Sequence, residues 1–545
     1  MKKTFTIFVL LYSIFVSAQQ RLDQEDIFLH YNNNLLLTGE RVFYKAYCFN
    51  QKSNSLSKIS KIANIELINS ENMAILKQKI NLVDGVGYGD FYIDSELESG
   101  TYKIVAYTKW MLNQKTVFED NLYIINPFQK KTLPSITNKE VLKKEKKVTP
   151  SKLITLNKET FKTRELVKLS LNDSLLSGAL SISVKKTVKN APPKKSILYR
   201  KNNFTNNSNN STLLLPEVRG YLIEGNITSK NTNNSISSIP IALSIPDIKV
   251  NKTGVTDQFG NFYFYVKNLN SDKINIEILN KNRSEYLVNL KNEDNLKIKF
   301  DNFKALKLTP DIISEIKRRT IYLQAEYAYN SLKKDSIINQ YPIYREKLFT
   351  HNTTKIKLDD YKRFKTLKAT IIEILEDVFY TKNENQYKIH VRDMDYGTNK
   401  EIPTLVIING QIVYDHTNVI DLEAKKIDSI TVLKGKYLFG SIIYQGIIEI
   451  HTFDKDFKLN LPNVHEFKIT KPEQKKYYYK ENYTTNKKDR IPDFRTQLYW
   501  NPVLIKTNKH LSFFTSDVKG IFEIQIQGIT QDKKNIHTVK TFIVE

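Results

Sequence analysis

Residues 403–453 read PTLVIINGQIVYDHTNVIDLEAKKIDSITVLKGKYLFGSIIYQGIIEIHTF and contain three short apolar runs typical of β-strands. The runs are Thr404–Ile408, Ile427–Leu433 and Gly446–Ile450. Asn409-Gly410 follows the first run and predicts a tight turn, because this pair tolerates positive φ. Further glycines interrupt the pattern at 435, 440 and 446. The stretch therefore predicts a small sheet with tight connections.

The order of these motifs resembles the plug domain of TonB-dependent outer-membrane receptors of Bacteroidetes. The resemblance is carried by the strand ending in Asn409-Gly410, by IDSITVLKG (427–435) and by FGSIIYQGIIEIHT (439–452). In such receptors a 22-stranded barrel follows, which needs more than roughly 220 residues at about 10 per strand. Residues 454–545 are too few for it, and no convincing TonB box follows the N-terminus. The resemblance therefore implies a plug-like module used as an adaptor, and if a barrel is involved, it comes from another chain.

The N-terminus predicts export. Lys2 and Lys3, the apolar run Phe5–Val16 and the small residues before Gln19 form a signal peptide over 1–18, and no cysteine offers a lipid anchor there. No later segment reaches about 18 apolar residues, so no transmembrane segment is expected after signal removal. We expect a protein of the periplasm or outer membrane, with the cell surface as the alternative.

Charge and cysteine content restrict the partners and the chemistry. The net charge is +25, but lysines concentrate only in 129–152 and 474–488, which resemble solvated linkers, so no nucleic-acid partner is expected. Peripheral attraction to an anionic membrane or an acidic partner stays open. Cys48 is the single cysteine, which excludes an internal disulfide, and the alternating residues around it predict a packed, unreactive side chain.

The fold class predicted is mainly β and multidomain, with serial macroglobulin/Ig-like β-sandwiches and one α+β plug-like domain. The expected segments are a signal peptide 1–18, a macroglobulin-like sandwich 19–128, a Lys-rich linker 129–152, a second, smaller macroglobulin-like β unit 153–188, an Asn-rich flexible loop 189–214, a carboxypeptidase-regulatory-like sandwich 215–300, a helical connector 301–356, the plug-like domain 357–453, a polar linker 454–490 and a C-terminal sandwich 491–545.

Particular phrases carry the remaining resemblances. LLLTGERVFYKAYC (35–48) and SGTYKIVAYT (99–108) resemble macroglobulin-like domains. TGVTDQFGNFYF (253–264) resembles a carboxypeptidase-regulatory-like sandwich and predicts a hairpin whose turn is closed by the Asp257 carboxylate. LPEVRG (215–220) and FRTQLYWNP (494–502) resemble a family of exported Bacteroidetes proteins.

Helical signals appear in two places. Thr309-Pro310-Asp311 combines a cap, a first-turn proline and an acid, and predicts a helix to about Leu332. Asp359-Asp360 predicts the start of a second helix, with apolar residues at three- and four-residue spacing as far as Val378.

Known catalytic patterns are missing from the sequence, so no enzyme is expected. The histidines at 30, 351, 390, 416, 451, 465, 510 and 537 form no metal-ligand spacing, and no nucleophile elbow, phosphate loop or dinucleotide fingerprint is present. Asp415-His416 and His390 with Asp393 are acid–histidine pairs of a kind that chance supplies. No catalytic residue, cofactor or metal is assigned.

The functional hypothesis is a non-catalytic exported adaptor, or an accessory to an outer-membrane barrel or a transport or secretion complex. An outer-membrane protein is the expected partner. The alternative is a cell-surface adhesin or glycan-binding module array, suggested by the Tyr- and Trp-bearing sandwiches. Possible partner contacts are the turn residues of the plug-like domain, whose simpler role is to shape the turns: Asn409, Gly410, Lys434, Gly435 and Gly440.

Overall fold

The computed structural model describes nine stretches of the chain: 23–129, 153–200, 213–231, 233–291, 298–338, 353–392, 397–454, 461–484 and 491–545. The signal peptide expected at 1–18, nearly all of the linker 129–152 and residues 201–212 of the Asn-rich segment lie outside them. The chain divides into two compact units. Unit 1 comprises 1–218, 298–338 and 473–545, and unit 2 comprises 219–297 and 339–472.

The elements of the first half of the chain are almost all strands. They are β1 Glu25–Tyr31, β2 Leu35–Leu37, β3 Arg41–Asn50, β4 Ser55–Leu56, β5 Ile62–Ile68, β6 Ala74–Asn81, β7 Val86–Tyr92, β8 Gly100–Tyr107, β9 Phe118–Ile125, β10 Ile154–Leu156, β11 Thr160–Phe161, β12 Leu166–Leu171, β13 Ala179–Lys186, β14 Tyr221–Ser229, β15 Pro240–Ile245, β16 Val250–Val255, β17 Asn261–Val266, β18 Lys273–Ile278 and β19 Tyr286–Leu290.

The second half adds the two helices of the described residues. Its elements are α1 Pro310–Ala328, β20 Ser336–Ile337, β21 Thr353–Lys357, α2 Leu367–Glu373, β22 Val378–Asn383, β23 Gln386–Val391, β24 Leu405–Ile408, β25 Gln411–Val413, β26 Ile427–Phe439, β27 Ile442–Thr452, β28 Val464–Lys468, β29 Pro472–Glu473, β30 Lys476–Tyr477, β31 Gln497–Asn501, β32 His510–Phe514, β33 Gly520–Ile529 and β34 Asn535–Val544. The predicted class, mainly β and multidomain, is confirmed.

The N-terminal sandwich of unit 1 has two sheets. In one, β3 lies between β1 and both β4 and β7; the other runs β2-β9-β8-β5-β6. β3 begins directly after Thr38-Gly39-Glu40, and β8 lies at the centre of its sheet. Residues 44–49 of β3 are buried without interruption, and Tyr44, Tyr47 and Phe49 are completely buried. Both faces of β3 are therefore covered, since successive side chains of a strand point to opposite faces.

A second sandwich of unit 1 is built from two distant segments. One sheet runs β10-β12-β32 and the other β11-β34-β33-β13-β31, so both sheets combine residues of 153–188 with residues of 491–545. One core joins them, including Val184, Phe522, Ile524 and Phe542. The two segments, expected as separate units, therefore form a single discontinuous sandwich. The segment 153–188 contributes two strands to each sheet, whereas 491–545 contributes one strand to the first sheet and three to the second.

Helix α1 belongs to unit 1. The Thr309 hydroxyl accepts a hydrogen bond from the Ile312 N–H, and Pro310 occupies the first turn. The apolar face of α1, at Ile312 and Ile316, packs on Leu35 and Leu37 of β2. The start agrees with the prediction, whereas the helix ends at Ala328, before Leu332.

Unit 2 contains another sandwich, with sheets β17-β14-β19 and β16-β15-β18-β28. The predicted hairpin at 253–264 is wrong, because β16 and β17 lie in different sheets. Its turn is correct: Asp257 Oδ1 accepts from the N–H groups of Phe259 and Asn261 at 2.9 and 2.8 Å. β28 lies in the segment expected as a polar linker and pairs with β18.

The stretch 403–453 supplies four neighbouring strands of a five-stranded sheet, order β21-β26-β27-β24-β25. Asn409 and Gly410 have φ of 48° and 85° and join β24 to β25, which confirms the predicted tight turn. The predicted second helix is wrong in its bounds: α2 starts after Thr366, whose hydroxyl accepts from the Ala369 N–H, and Val378 begins a strand.

Candidate functional site

A cleft of about 250 Å³ lies within unit 1, bordered by β2, β3, β13, α1 and residues 478–479 and 494–500. We call it the aromatic cleft, because nine aromatic residues line it: Phe43, Tyr92, Tyr322, Tyr327, Tyr478, Tyr479, Phe494, Tyr499 and Trp500. Three of these belong to the FRTQLYWNP motif, for which the sequence offered no role.

The polar face of α1 forms one wall. Glu315, Arg319, Tyr322 and Glu326 recur at three- and four-residue spacing and all line the cleft, since such residues share one helix face. The Arg319 guanidinium is buried and pairs with the Glu40 carboxylate, with Nε to Oε1 at 3.0 Å. Its Nη2 also donates to the Leu35 carbonyl at 3.0 Å. This wall is therefore fixed to β2 and to the turn before β3.

Arg41 of β3 forms a second charged feature of the wall. Its guanidinium pairs with Asp90 at 2.6 Å and with Asp335. The same group lies over the rings of Phe43, Tyr92 and Tyr478, at 4.8, 5.1 and 5.4 Å from their centroids. Ion pairs and cation–π contacts hold Arg41 in place, so it is part of the frame of the cleft.

The FRTQLYWNP motif forms the opposite wall. The Phe494 ring stacks on Tyr322 at 5.0 Å, and the Phe494 N–H donates to Glu326 at 2.6 Å. Arg495 makes two hydrogen bonds to Asp493, at 2.7 and 2.6 Å. Burial would raise the pKa of Asp493, but the Arg495 charge outweighs it and brings this pKa down to about 2. The wall is thus held by an ionised pair.

Trp500, at the end of this motif, is 4% exposed. Its ring lies 6.0 Å from Phe43 and 5.3 Å from His30. The indole Nε1–H is buried and has no hydrogen-bond partner among the described residues. Arg319 Nη1 is also buried and has no hydrogen-bond partner among the described residues. Unpaired buried donors are uncommon and mark a place that a ligand or water can satisfy.

The contact residues predicted from the sequence lie elsewhere, in unit 2. The Asn409 amide is bonded to Thr452 Oγ1 at 2.6 Å, and a Cβ on Gly410 would lie 3.2 Å from the Pro246 backbone. A Cβ on Gly440 would lie 2.1 Å from Thr253 Oγ1. These three positions therefore have close packing partners within unit 2, which gives them a structural role.

Lys434 and Gly435 differ from them. Lys434 pairs with Asp377 at 2.5 Å yet is 37% exposed, and Gly435 is half-buried, with only Tyr437 near its Cβ position. Both follow Leu433, the partner of Thr353 in β21, at an irregularity in the β26–β27 pairing. They thus lie beside one end of the edge strand β21.

The remaining candidates from the sequence have structural surroundings. Cys48 is completely buried, and burial raises the pKa of its thiol well above the usual value. Asp415 accepts from the Thr417 N–H and pairs with Arg283, while His416 Nδ1 accepts from the Ile389 N–H at 2.9 Å. Asp393, the expected neighbour of His390, lies outside the described residues. Over the described stretches, no group of three or more His, Cys, Asp or Glu side chains is arranged to hold a metal ion.

No family model matches the sequence, and no curated protein matches it. Among solved structures, Salmonella alpha-2-macroglobulin reacted with methylamine is matched at 7% identity over 96% of this chain and 23% of that one, with a TM-score of 0.17. The native conformation of Escherichia coli alpha-2-macroglobulin is matched at 8% identity over 96% of this chain and 22% of that one, with a TM-score of 0.16. The N-terminal Ig1-2 module of the Drosophila receptor protein tyrosine phosphatase DLAR is matched at 8% identity over 30% of this chain and 72% of that one, with a TM-score of 0.14.

This chain spans less than a quarter of the length of these two macroglobulins. With TM-scores this low, the matches support no inference about ligand, activity or partner. None of the helices in the described part of the chain is long and apolar enough to cross a membrane.

The aromatic cleft was missed at the level of the sequence because its walls come from five separate segments. One local signal was available: FRTQLYWNP places an arginine and three large aromatic residues within seven positions. The spacing on α1 of Glu315, Arg319 and Glu326 was a second signal, since charged residues repeating on one helix face indicate a polar wall.

Proposed function

We propose that this chain is a non-catalytic exported protein of the periplasm or outer membrane that binds other proteins. Its role is that of an adaptor, or of an accessory to an outer-membrane barrel or a transport or secretion complex. The proposal includes the plug-like nature of residues 357–453 and the Bacteroidetes resemblance, both of which rest on sequence motifs.

The observation that supports protein binding most directly is the edge strand β21. It pairs with β26 on one side, from Thr353 opposite Leu433 to Lys357 opposite Ser429. Within the described residues, no strand pairs with its other side. Four of its five residues are exposed. An open, exposed edge of a sheet offers backbone donors and acceptors to an incoming strand.

Lys434 and Gly435 extend this surface. They lie just beyond the Thr353–Leu433 pair, and Lys355 and Lys357 add positive charge along the edge. An extended partner segment with acidic residues suits such an edge. Of the five contact residues suggested by the sequence, the proposal retains Lys434 and Gly435.

Two proline variants test strand addition. In an antiparallel edge strand, successive N–H groups point alternately to the paired side and to the open side. Thr354→Pro and Lys355→Pro therefore remove one N–H of each kind. The variant that removes the open-side N–H should keep the native circular dichroism and melting temperature and lose the partner. Lys355→Ala controls for the side chain.

The binding measurement is recovery of a specific membrane protein by the tagged chain from solubilised outer membranes, with identification by mass spectrometry. We expect one barrel or secretion component to be enriched by the wild type and lost with the folded proline variant. Equal recovery by both proline variants and the wild type would exclude β21 as the contact. A protein that fractionates alone in the soluble periplasm would contradict the adaptor role itself.

A further inference from the structure

The lining of the aromatic cleft contains more cations than anions, and each cation is also paired with a carboxylate in the lining or just outside it. The lining contains six cations and four anions, namely Arg41, Lys185, Lys186, Arg319, Lys333 and Arg495 against Glu40, Glu315, Glu326 and Asp335. Two of these cations lie where β13 ends beside α1. There Lys185 and Lys186 are largely buried, with side chains 13% and 7% exposed.

Each of these two lysines has one carboxylate partner, at the long end of the range for an ion pair. Lys185 lies 3.5 Å from Glu523, and Lys186 lies 3.3 Å from Glu315. Burial lowers the pKa of both lysines, the Glu523 and Glu315 carboxylates oppose this effect, and the Arg319 charge adds to it, so that the net pKa of each lysine is lowered. One carboxylate apiece therefore does not fully compensate the buried charges of Lys185 and Lys186, and an added negative charge at this end would stabilise them.

Two buried hydrogen-bond donors without partners in the described part of the chain also favour a ligand that carries acceptor atoms. Arg319 is 3% exposed and uses Nε and Nη2 on Glu40 and the Leu35 carbonyl, which leaves Nη1 without a partner among the described residues. Trp500 contributes a second buried N–H with no partner there. Both groups donate only, so the missing ligand atoms are acceptors.

The rest of the lining fixes the body of the ligand. Nine aromatic residues surround the space, and Tyr92 and Tyr327 are about half exposed. A volume of about 250 Å³ is slightly below the usual range for small-molecule sites, so the cleft suits a small ligand with one ring and a short polar group.

We propose that the aromatic cleft binds a small carboxylate with a flat apolar body. The carboxylate occupies the end formed by Lys185, Lys186 and Arg319, and the apolar body packs among the aromatic residues. Two kinds of molecule carry this combination of groups: a free aromatic acid, and a peptide whose C-terminal residue is aromatic. This site goes beyond the adaptor role and does not depend on it.

Calorimetry with matched probes tests the proposal on the full mature chain. The probes are 4-hydroxyphenylacetate, N-acetyl-phenylalanine and a pentapeptide ending in phenylalanine. Each is compared with the compound in which a primary amide replaces the carboxylate. We expect one-to-one binding of at least one acid, and binding of its amide weaker by about tenfold or more, because the amide lacks the charge. Binding of the pentapeptide alone identifies a peptide terminus, and binding of the free acids identifies a small metabolite.

Two variants locate the site. Lys185→Met keeps the aliphatic stem and removes the charge, and it should weaken the acid about tenfold while leaving the weak binding of the amide unchanged. Trp500→Phe removes the indole N–H and should weaken binding about threefold. Lys168→Met, on the exposed face of β12, and Trp110→Phe are the matched controls.

Several outcomes would overturn the proposal. They are no saturable binding by any acid, equal binding of acid and amide, or an equal loss in the variant and its control. Melting temperature and circular dichroism are recorded for every variant. If Lys185→Met unfolds, Trp500→Phe and the acid–amide comparison on the wild type decide the question.

Discussion

His416 is a buried residue whose protonation should affect stability. Burial lowers its pKa to about 4, and His390 contributes in the same direction. The usual value near 6.5 holds in the unfolded chain, so the unfolded state binds more protons between pH 6.5 and 4. Stability conferred by neutral His416 is therefore present above pH 6.5 and lost as the pH falls towards 4. Between pH 7 and 5 we expect a loss of about 2 kcal/mol.

The test compares urea unfolding of the wild type with that of His416→Asn. The asparagine Oδ1 can replace the Nδ1 acceptor used by the Ile389 N–H but does not titrate. The variant should lose about 2 kcal/mol less than the wild type over this interval. His510→Asn, at an exposed position, is the control. An unchanged pH dependence in His416→Asn would show that other groups cause the loss.

Gly446 illustrates a residue fixed by a close approach. Its φ is +77°, and a Cβ there would lie 2.3 Å from Val391 Cβ. Gly397 has a similar φ, +73°, with nothing within 4 Å. Gly397→Ala should cost about 1–2 kcal/mol from backbone strain alone, and Gly446→Ala should cost at least about 2 kcal/mol more. Chemical denaturation of both variants measures the difference, and equal costs would contradict the steric explanation.

Among the elements, α2 tests where a helix begins. The Thr366 hydroxyl caps its first turn, whereas Asp359 and Asp360 form a separate short 3-10 turn. Thr366→Ala should lower the free energy of unfolding by about 1 kcal/mol. Asp360→Ala, at an exposed residue, should change it by less than about 0.5 kcal/mol. Urea unfolding measures both, and a larger effect at Asp360 would restore the start expected from the sequence.

At the scale of single elements, the sequence predicted some bounds correctly and misplaced others. The strand β3 and the first part of β26, Ile427–Leu433, were predicted from local signals, whereas the continuation of β26 to Phe439 was not. The helix start was misplaced because two acids resemble a first turn as well as Thr366 resembles a cap. The partner of a strand is not a local property, so the separation of β16 from β17 into two sheets could not be deduced.

At the scale of the whole molecule, the same limit explains the discontinuous sandwich and the aromatic cleft. β13 pairs with β33 from Ala179 opposite Ile529 to Lys186 opposite Phe522, across more than half of the chain. Each segment has ordinary strand patterning, which is compatible with an independent small sheet. The cleft depends on the pairing of β13 with its other neighbour, β31, because Lys185 belongs to β13 and Trp500 to β31. Long-range pairing therefore decides both the domain and the site.

Ile524→Ala tests whether the two segments unfold together. Ile524 is completely buried in the shared core, so the change should cost roughly 3 kcal/mol. Hydrogen exchange followed by mass spectrometry should then show faster exchange in peptides of both 179–186 and 520–529, by the same free energy. Peptides from 221–229, in unit 2, serve as the reference. Acceleration confined to 520–529 would mean that the segments are separate cooperative units, because a shared core transmits the loss to every strand that it joins.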